Sequence, residues 1–178
     1  MTENEKLAKY ARTGDLELLG QVYADYMHLV FGVCLKYFKN KDDAQDGVIQ
    51  VFEKLVVDLK KHSVTNFKSW LYVTSKNFCL MELRKNNKIQ NTSLENVEYA
   101  LPTHHEQEEP VDEEGLEECI EKLPEIQQKC IRLFYLKEHC YKEITTMLDT
   151  NLNRVKSAIQ NGKRNLKLCL ERKREHIQ

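Results

Sequence analysis

Between Thr150 and Leu170 the chain carries Asn153, Ser157, Gln160, Asn161 and Arg164 at helical spacing, with almost no acid nearby. On a helix these five residues fall on one face. Amide, hydroxyl and guanidinium groups so arranged have the donors and acceptors to read base edges in a duplex groove. Lys156 and Lys167 along the edge could neutralise phosphates. A solvated basic face has the same composition, so this helix alone leaves both readings open. A second set lies upstream, where Trp70, Thr74, Asn77, Met81 and Arg84 share a helical face that Lys85 and Lys88 continue. An indole, an amide and several cations suit unpaired bases, which stack on aromatics and offer their edges when out of the duplex. A core Trp beside a surface Asn is the alternative. A third set, Asp42, Asp43 and Asp46, stands at a helix start, where the dipole favours acids; capping alone would account for it.

Helices must position all three sets. A helix from Asn151 puts Leu152, Val155, Ile159, Leu166 and Leu170 on a stripe opposite the amides, with Gly162 filling a gap. Ahead of it, Leu116, Cys119, Ile120 and Leu123 form one stripe, Pro124 can open a new helix, and Ile126, Cys130, Leu133 and Phe134 form the next. The short segment "YKEITTMLD", with Ile144, Met147 and Leu148 apolar, then precedes a brief turn and the long basic helix. Short helix, turn and longer basic helix make the helix-turn-helix arrangement, whose second helix enters the major groove. Nearer the start, Val48, Val51, Phe52, Leu55 and Leu59 give the aspartate-led helix its apolar face. In the next helix Leu71, Ser75 and Phe78 lie on one side.

Composition agrees with helices. The 178 residues are 41% hydrophobic and 31% charged, with only six Gly and three Pro, which favours a soluble all-α chain of one domain or two small ones. Residues 92–118 hold ten acids and no Lys or Arg, whereas the segments on either side carry a cationic excess. Such a run, with Pro102 and Pro110, reads as a self-repelling linker. The expected organisation is therefore a helical domain over 1–91, an acidic linker over 92–115 and a helix-turn-helix domain over 116–178. No apolar run is long enough to span a bilayer, and the polar start has no signal-peptide core, so a cytoplasmic protein without membrane insertion is expected. Cys34, Cys79, Cys119, Cys130, Cys140 and Cys169 show no C-x-x-C pair and read as reduced, buried thiols. His104 and His105 lack partners at ligand spacing and read as a solvated loop. No metal or other cofactor is expected. Without a phosphate-binding Gly-rich loop, a His/carboxylate metal motif or a framed nucleophile, neither is an enzyme.

Taken together, the chain resembles bacterial RNA polymerase sigma factors of the extracytoplasmic-function group. "DDAQDGVIQVFEKL" is similar to the helix they dock on the polymerase clamp. "FKSWLYVTSKNFCLMELRK" is similar to their segment that melts and reads the −10 element, and "LPEIQQKCIRLFYLKEHCYKEITTMLDTNLNRVKSAIQNGKRNLK" to their helix-turn-helix for the −35 element. The start, with Gly14-Asp15 and the apolar spacing after it, also fits. The resemblance implies polymerase contacts at Asp43, Asp46, Gln50 and Lys54. It implies −10 contacts at Trp70 and Asn77, the latter at a flipped base, with Lys68, Lys76, Arg84 and Lys85 on phosphates. For the −35 duplex it implies Asn153, Arg154, Lys156, Ser157, Gln160, Asn161 and Arg164. The implied partners are core RNA polymerase and promoter DNA; an anti-sigma factor is a further partner of such proteins that no residue here specifies. The acidic linker would thread the polymerase cleft.

Departures from the family pattern occur at Ile49 and Gln50, where Gln and an acid are usual, at Met81, at Asp149 in the turn, and at Ala158, which replaces a frequent Arg. Asp tolerates unusual turn conformations, so the motif survives that change. The expected function is promoter-specific initiation without covalent chemistry. A stand-alone helix-turn-helix regulator and an adaptor that touches no DNA are the alternatives.

Overall fold

A computed structural model describes residues 1–89 and 113–175. The chain divides into two compact units, residues 1–102 and 103–178. Among the described residues every regular element is a helix.

In the first unit, α1 (Glu3–Thr13) starts at a reciprocal cap: the Thr2 N–H donates to Glu5 Oε2 at 2.8 Å and the Glu5 N–H to Thr2 Oγ1 at 3.3 Å. It ends at Gly14, whose φ of 73° is the left-handed conformation that glycine adopts without a Cβ penalty. Asp15 then caps α2 (Leu16–Ala24), and α3 (Met27–Phe38) follows at a 67° bend. Asn40 caps α4 (Lys41–Asp58) by accepting the Asp42 and Asp43 N–H groups at 2.8 and 3.1 Å. Asn66 does the same for α5 (Phe67–Ile89) through the Ser69 N–H.

The core joins Tyr10, Leu19, Val30, Cys34, Val51, Leu55, Phe67 and Leu71, drawn from all five helices. Two tyrosines fasten α1 and α2 to α4 by donating to its backbone carbonyls, Tyr10 to Val56 and Tyr23 to Val48, each at 2.7 Å. Tyr26 donates to Glu3 at 2.6 Å; that bond, and then burial, push its pKa up to about 12. No single helix among the described residues is long and apolar enough to cross a membrane; the apolar α2–α3 pair supplies core residues instead.

The second unit comprises α6 (Glu113–Glu121), α7 (Glu125–Ile131), α8 (Tyr141–Met147) and α9 (Leu152–Glu175). A π-helical turn, Arg132–Leu136, extends α7 and places Phe134 against Tyr141 at 5.1 Å between ring centroids. Glu143 accepts the Cys140 N–H at 2.9 Å at the start of α8. Asp149 takes φ 46° in the turn before α9, and Asn151 caps α9 by accepting the Arg154 N–H at 2.9 Å.

Three expectations change. Residues 113–115, assigned to the linker, begin α6; their acids stand where a helix N-terminus favours negative charge, so one composition served two readings. The rest of that linker, with His104 and His105, lies outside the described residues. Not all cysteines are free thiols: Cys34, Cys79, Cys130 and Cys140 are, but Cys119 and Cys169 form a disulfide, brought together by the packing of α6 on α9. A pairing across 50 residues has no local signature in sequence. Leu152, placed on the apolar stripe of α9, is 45% exposed: it is the first residue of the helix, and burial begins at Val155.

Gly47 on α4 lets α3 approach closely: a Cβ there would lie 2.8 Å from Cys34 Sγ and 3.0 Å from Phe38 Cε2, whereas a Cβ at Gly20 meets nothing within 4 Å. Gly47→Ala is expected to destabilise the first unit by about 1–3 kcal/mol through overpacking. Gly20→Ala, which only improves helix propensity, is expected to stabilise it by up to about 1 kcal/mol. Urea unfolding of the two variants measures both, and equal effects would contradict the packing.

Candidate nucleic-acid interface

The polar face of α9 is presented by the burial of its other side. Val155, Ala158, Ile159 and Gly162 are buried, with a Cβ at Gly162 only 2.8 Å from Ile131 Cγ1, so α9 lies close on α7. Asn165 donates from Nδ2 to Gln127 Oε1 at 2.9 Å, a second tie between the same helices. The rotation of α9 about its axis is thereby set. Asn153, Arg154, Ser157, Gln160, Asn161 and Arg164 are all exposed on the side away from the core, and Lys156 is half-buried at the margin. From Asn153 to Arg164 this face runs about 16 Å, long enough to lie along several base pairs. Lys163 is half-buried, and burial lowers its pKa.

Ala158, which stands where the family pattern often has Arg, belongs to the buried side. Its replacement of Arg therefore removes nothing from the centre of the exposed face.

On α4, Asp43, Asp46, Gln50 and Lys54 are exposed along one line, opposite Val48, Val51 and Leu55. Lys54 is 3.5 Å from Asp58. Because the Asn40 side chain supplies the cap, the carboxylates of Asp43 and Asp46 are not needed to start the helix. Two apolar neighbours share this surface: Ile49, noted from sequence only as a departure from the family pattern, and Val57, which sequence reasoning missed; they are 59% and 50% exposed. Apolar residues off the stripe of an otherwise regular amphipathic helix were the available signal, and such residues beside charges suit a protein partner.

The face of α5 differs from its sequence reading. Lys68 and Lys85 are exposed, Lys85 within 2.5 Å of Glu82, and Trp70 and Arg84 are half-buried. Trp70 stacks on Phe67 at 6.3 Å between centroids. Lys76 and Asn77 are 3% and 7% exposed, so neither offers its side chain to a nucleic acid in this conformation. Asn77 Nδ2 lies 3.5 Å from Met81 Sδ, a weak acceptor at a position where the family pattern departs. The physical reason is that α5 is covered on nearly every side. Leu71, Ser75, Cys79 and Leu80 are buried and Tyr72, Val73 and Phe78 half-buried, which leaves no clean polar face.

Residues 22–89 match the family model for sigma-70 region 2, and residues 113–166 match that for sigma-70, region 4. Together the matches take in more than half of the chain. It belongs to the sigma-70 family. More narrowly, it is a sigma factor of the extracytoplasmic-function group, a DNA-binding initiation subunit of RNA polymerase and not itself an enzyme.

Among its relatives, the ECF RNA polymerase sigma factor SigM of Bacillus subtilis is 24% identical over 158 residues, covering 86% of this chain and 96% of SigM. The B. subtilis RNA polymerase sigma factor YlaC is 25% identical over 164 residues, covering 89% of this chain and 93% of YlaC. A solved structure of the sigma factor RpoE with the anti-sigma factor NepR from Bartonella quintana aligns with 86% of this chain and 96% of that one, at 17% identity and a TM-score of 0.40. In this sigma factor the exposed line on α4 falls within region 2, and the face from Asn153 to Arg164 falls within region 4.

If the Asn165–Gln127 bond helps set the rotation of α9, Asn165→Ala removes a partly buried hydrogen bond without touching an exposed cation. A loss of about 0.5–1.5 kcal/mol in the stability of the second unit is expected in denaturant titration. No loss would mean that the apolar contacts alone orient the helix.

Proposed function

We propose that this sigma factor divides the promoter between its two units. The first docks on core polymerase through Asp43, Asp46, Gln50 and Lys54, with Ile49 and Val57 adding apolar contact, and holds the −10 strand along α5. The second lays the start of α9 in the major groove of the −35 element, with Asn153, Arg154, Ser157, Gln160, Asn161 and Arg164 toward the bases and Lys156 toward phosphate. The observation that carries this reading is that all six groove-facing residues are exposed on one side of α9 while the other side is buried. At the −10 element, Lys68, Trp70, Arg84 and Lys85 are accessible to differing degrees, and Lys76 and Asn77 take part only after a local rearrangement uncovers them. Extruding a base costs a few kcal/mol, which contacts in the opened state must return. The work is done in the cytoplasm, with core polymerase.

Transcription in vitro with purified core polymerase tests the proposal. Initiation at a defined subset of promoters on a genomic fragment library supports it. Association with core without any promoter preference, or duplex binding that needs no polymerase, would favour an adaptor or a stand-alone regulator. Asp46→Lys is expected to weaken core binding at least tenfold in a pull-down titration while both units melt as before. Arg164→Ala is expected to weaken binding of the −35 duplex by holoenzyme by about 1–3 kcal/mol if the guanidinium reads a base. A reduced salt slope with uniform weakening would assign it to a phosphate instead.

A further inference from the structure

Four of the six cysteines are buried thiols, two in each unit, and the other two join α6 to α9. We propose that Cys119 and Cys169 form a reversible modification site. A low-molecular-weight disulfide closes the bridge, a dithiol reductant opens it, and its state sets how firmly α6 is fastened to the DNA-reading unit.

The other ties on α6 are modest. With nine residues it is too short to persist alone. Ile120 is buried, as is Leu123 just beyond the helix end, and Glu117 and Glu118 pair with Arg132 and Lys173 near the surface, where solvent and salt weaken ion pairs. The bridge is the covalent tie, with Cα atoms 5.9 Å apart across a separation of 50 residues, and it restricts the unfolded chain accordingly. Cys169 lies beyond Arg164 on the buried side of α9, so the bridge fastens α6 without touching the exposed polar face.

Accessibility orders the chemistry. Cys169 is half-buried and Cys119 is 1% exposed. The Cys169 thiolate therefore attacks one sulfur of the small disulfide, forming a mixed disulfide and expelling one thiolate. Cys119, on losing its proton, attacks Sγ of Cys169 and expels the second. Two protein thiols and one small disulfide give one protein bridge and two small thiols; two electrons and two protons pass to the small molecule.

The full-length chain, equilibrated either with glutathione disulfide or with a reductant, is examined by disulfide mapping and by amide hydrogen exchange. The expected bridge after oxidation is Cys119–Cys169, although Cys34 and Cys79 have sulfurs 3.7 Å apart and provide an internal competitor. Exchange across 113–121 is expected to rise at least tenfold on reduction while α4 is unchanged. Cys119→Ser should exchange like the reduced chain in both buffers. A Cys34–Cys79 bridge in its place, no bridge, or equal exchange of α6 in both states would overturn the proposal; the reduced wild-type chain provides the comparison even where the variant folds poorly.

Discussion

The close approach of α9 to α7 is the contact on which the second unit depends. A helix with a polar face reads nothing unless its rotation about its own axis is held, because one residue of slippage turns every side chain by 100°. Here Gly162 admits Ile131 to van der Waals range of the helix backbone, Val155 and Ile159 fill the space on either side, and Asn165 meets Gln127. Those contacts are apolar or neutral, hence insensitive to salt. The exposed residues they orient include Arg154 and Arg164, whose attraction to any anionic partner is salt-dependent. The α7–α9 contact and the exposed face thus respond to different solution variables, and a change in ionic strength acts on the face without loosening that contact.

The first unit reaches a similar end by other means. Tyr10 and Tyr23 each place a ring in the core and a hydroxyl on a carbonyl of α4, so α1 and α2 are fixed both by burial and by direction. With α4 held from one side, its other side carries Asp43, Asp46, Gln50 and Lys54 in a line with Ile49 and Val57. A surface of isolated acids would be merely soluble. Acids interrupted by two exposed branched hydrocarbons form a surface that another protein can dehydrate.

Periodicity made α4 and α9 legible because each packs on one side only. Val48, Val51 and Leu55 repeat at helical spacing, as do Val155 and Ile159, and the exposed residues follow by subtraction. The same method failed on α5, where Ser75, Lys76 and Asn77 are all buried; Ser75 satisfies its hydroxyl on the Leu71 carbonyl at 2.8 Å. A helix enclosed nearly all round has no face to infer, and polar residues inside it look exposed in sequence. Nor was the Cys119–Cys169 pair legible, since nothing local joins residues on α6 and α9 before those helices meet. The π-helical turn at Arg132–Leu136 likewise has no periodic signal, being one inserted residue within an otherwise regular run.

If the two units divide the promoter as proposed, the contrast between α9 and α5 sets an order of events on DNA. On the proposed division of the promoter, the exposed residues of α9 meet duplex without rearrangement, so binding there draws on a rigid surface and its free energy goes into affinity. Lys76 and Asn77 are inside the first unit, so any strand contact through them must be set against the cost of exposing them. A site that opens only when ligand compensates its opening is poorly occupied by ligand diffusing alone. It becomes favourable once the strand is already held nearby, because the entropic cost of association has then been met elsewhere. Upstream docking followed by strand capture is therefore the sequence that this distribution of buried and exposed groups favours, with the −10 step the more sensitive to changes in the packing around α5.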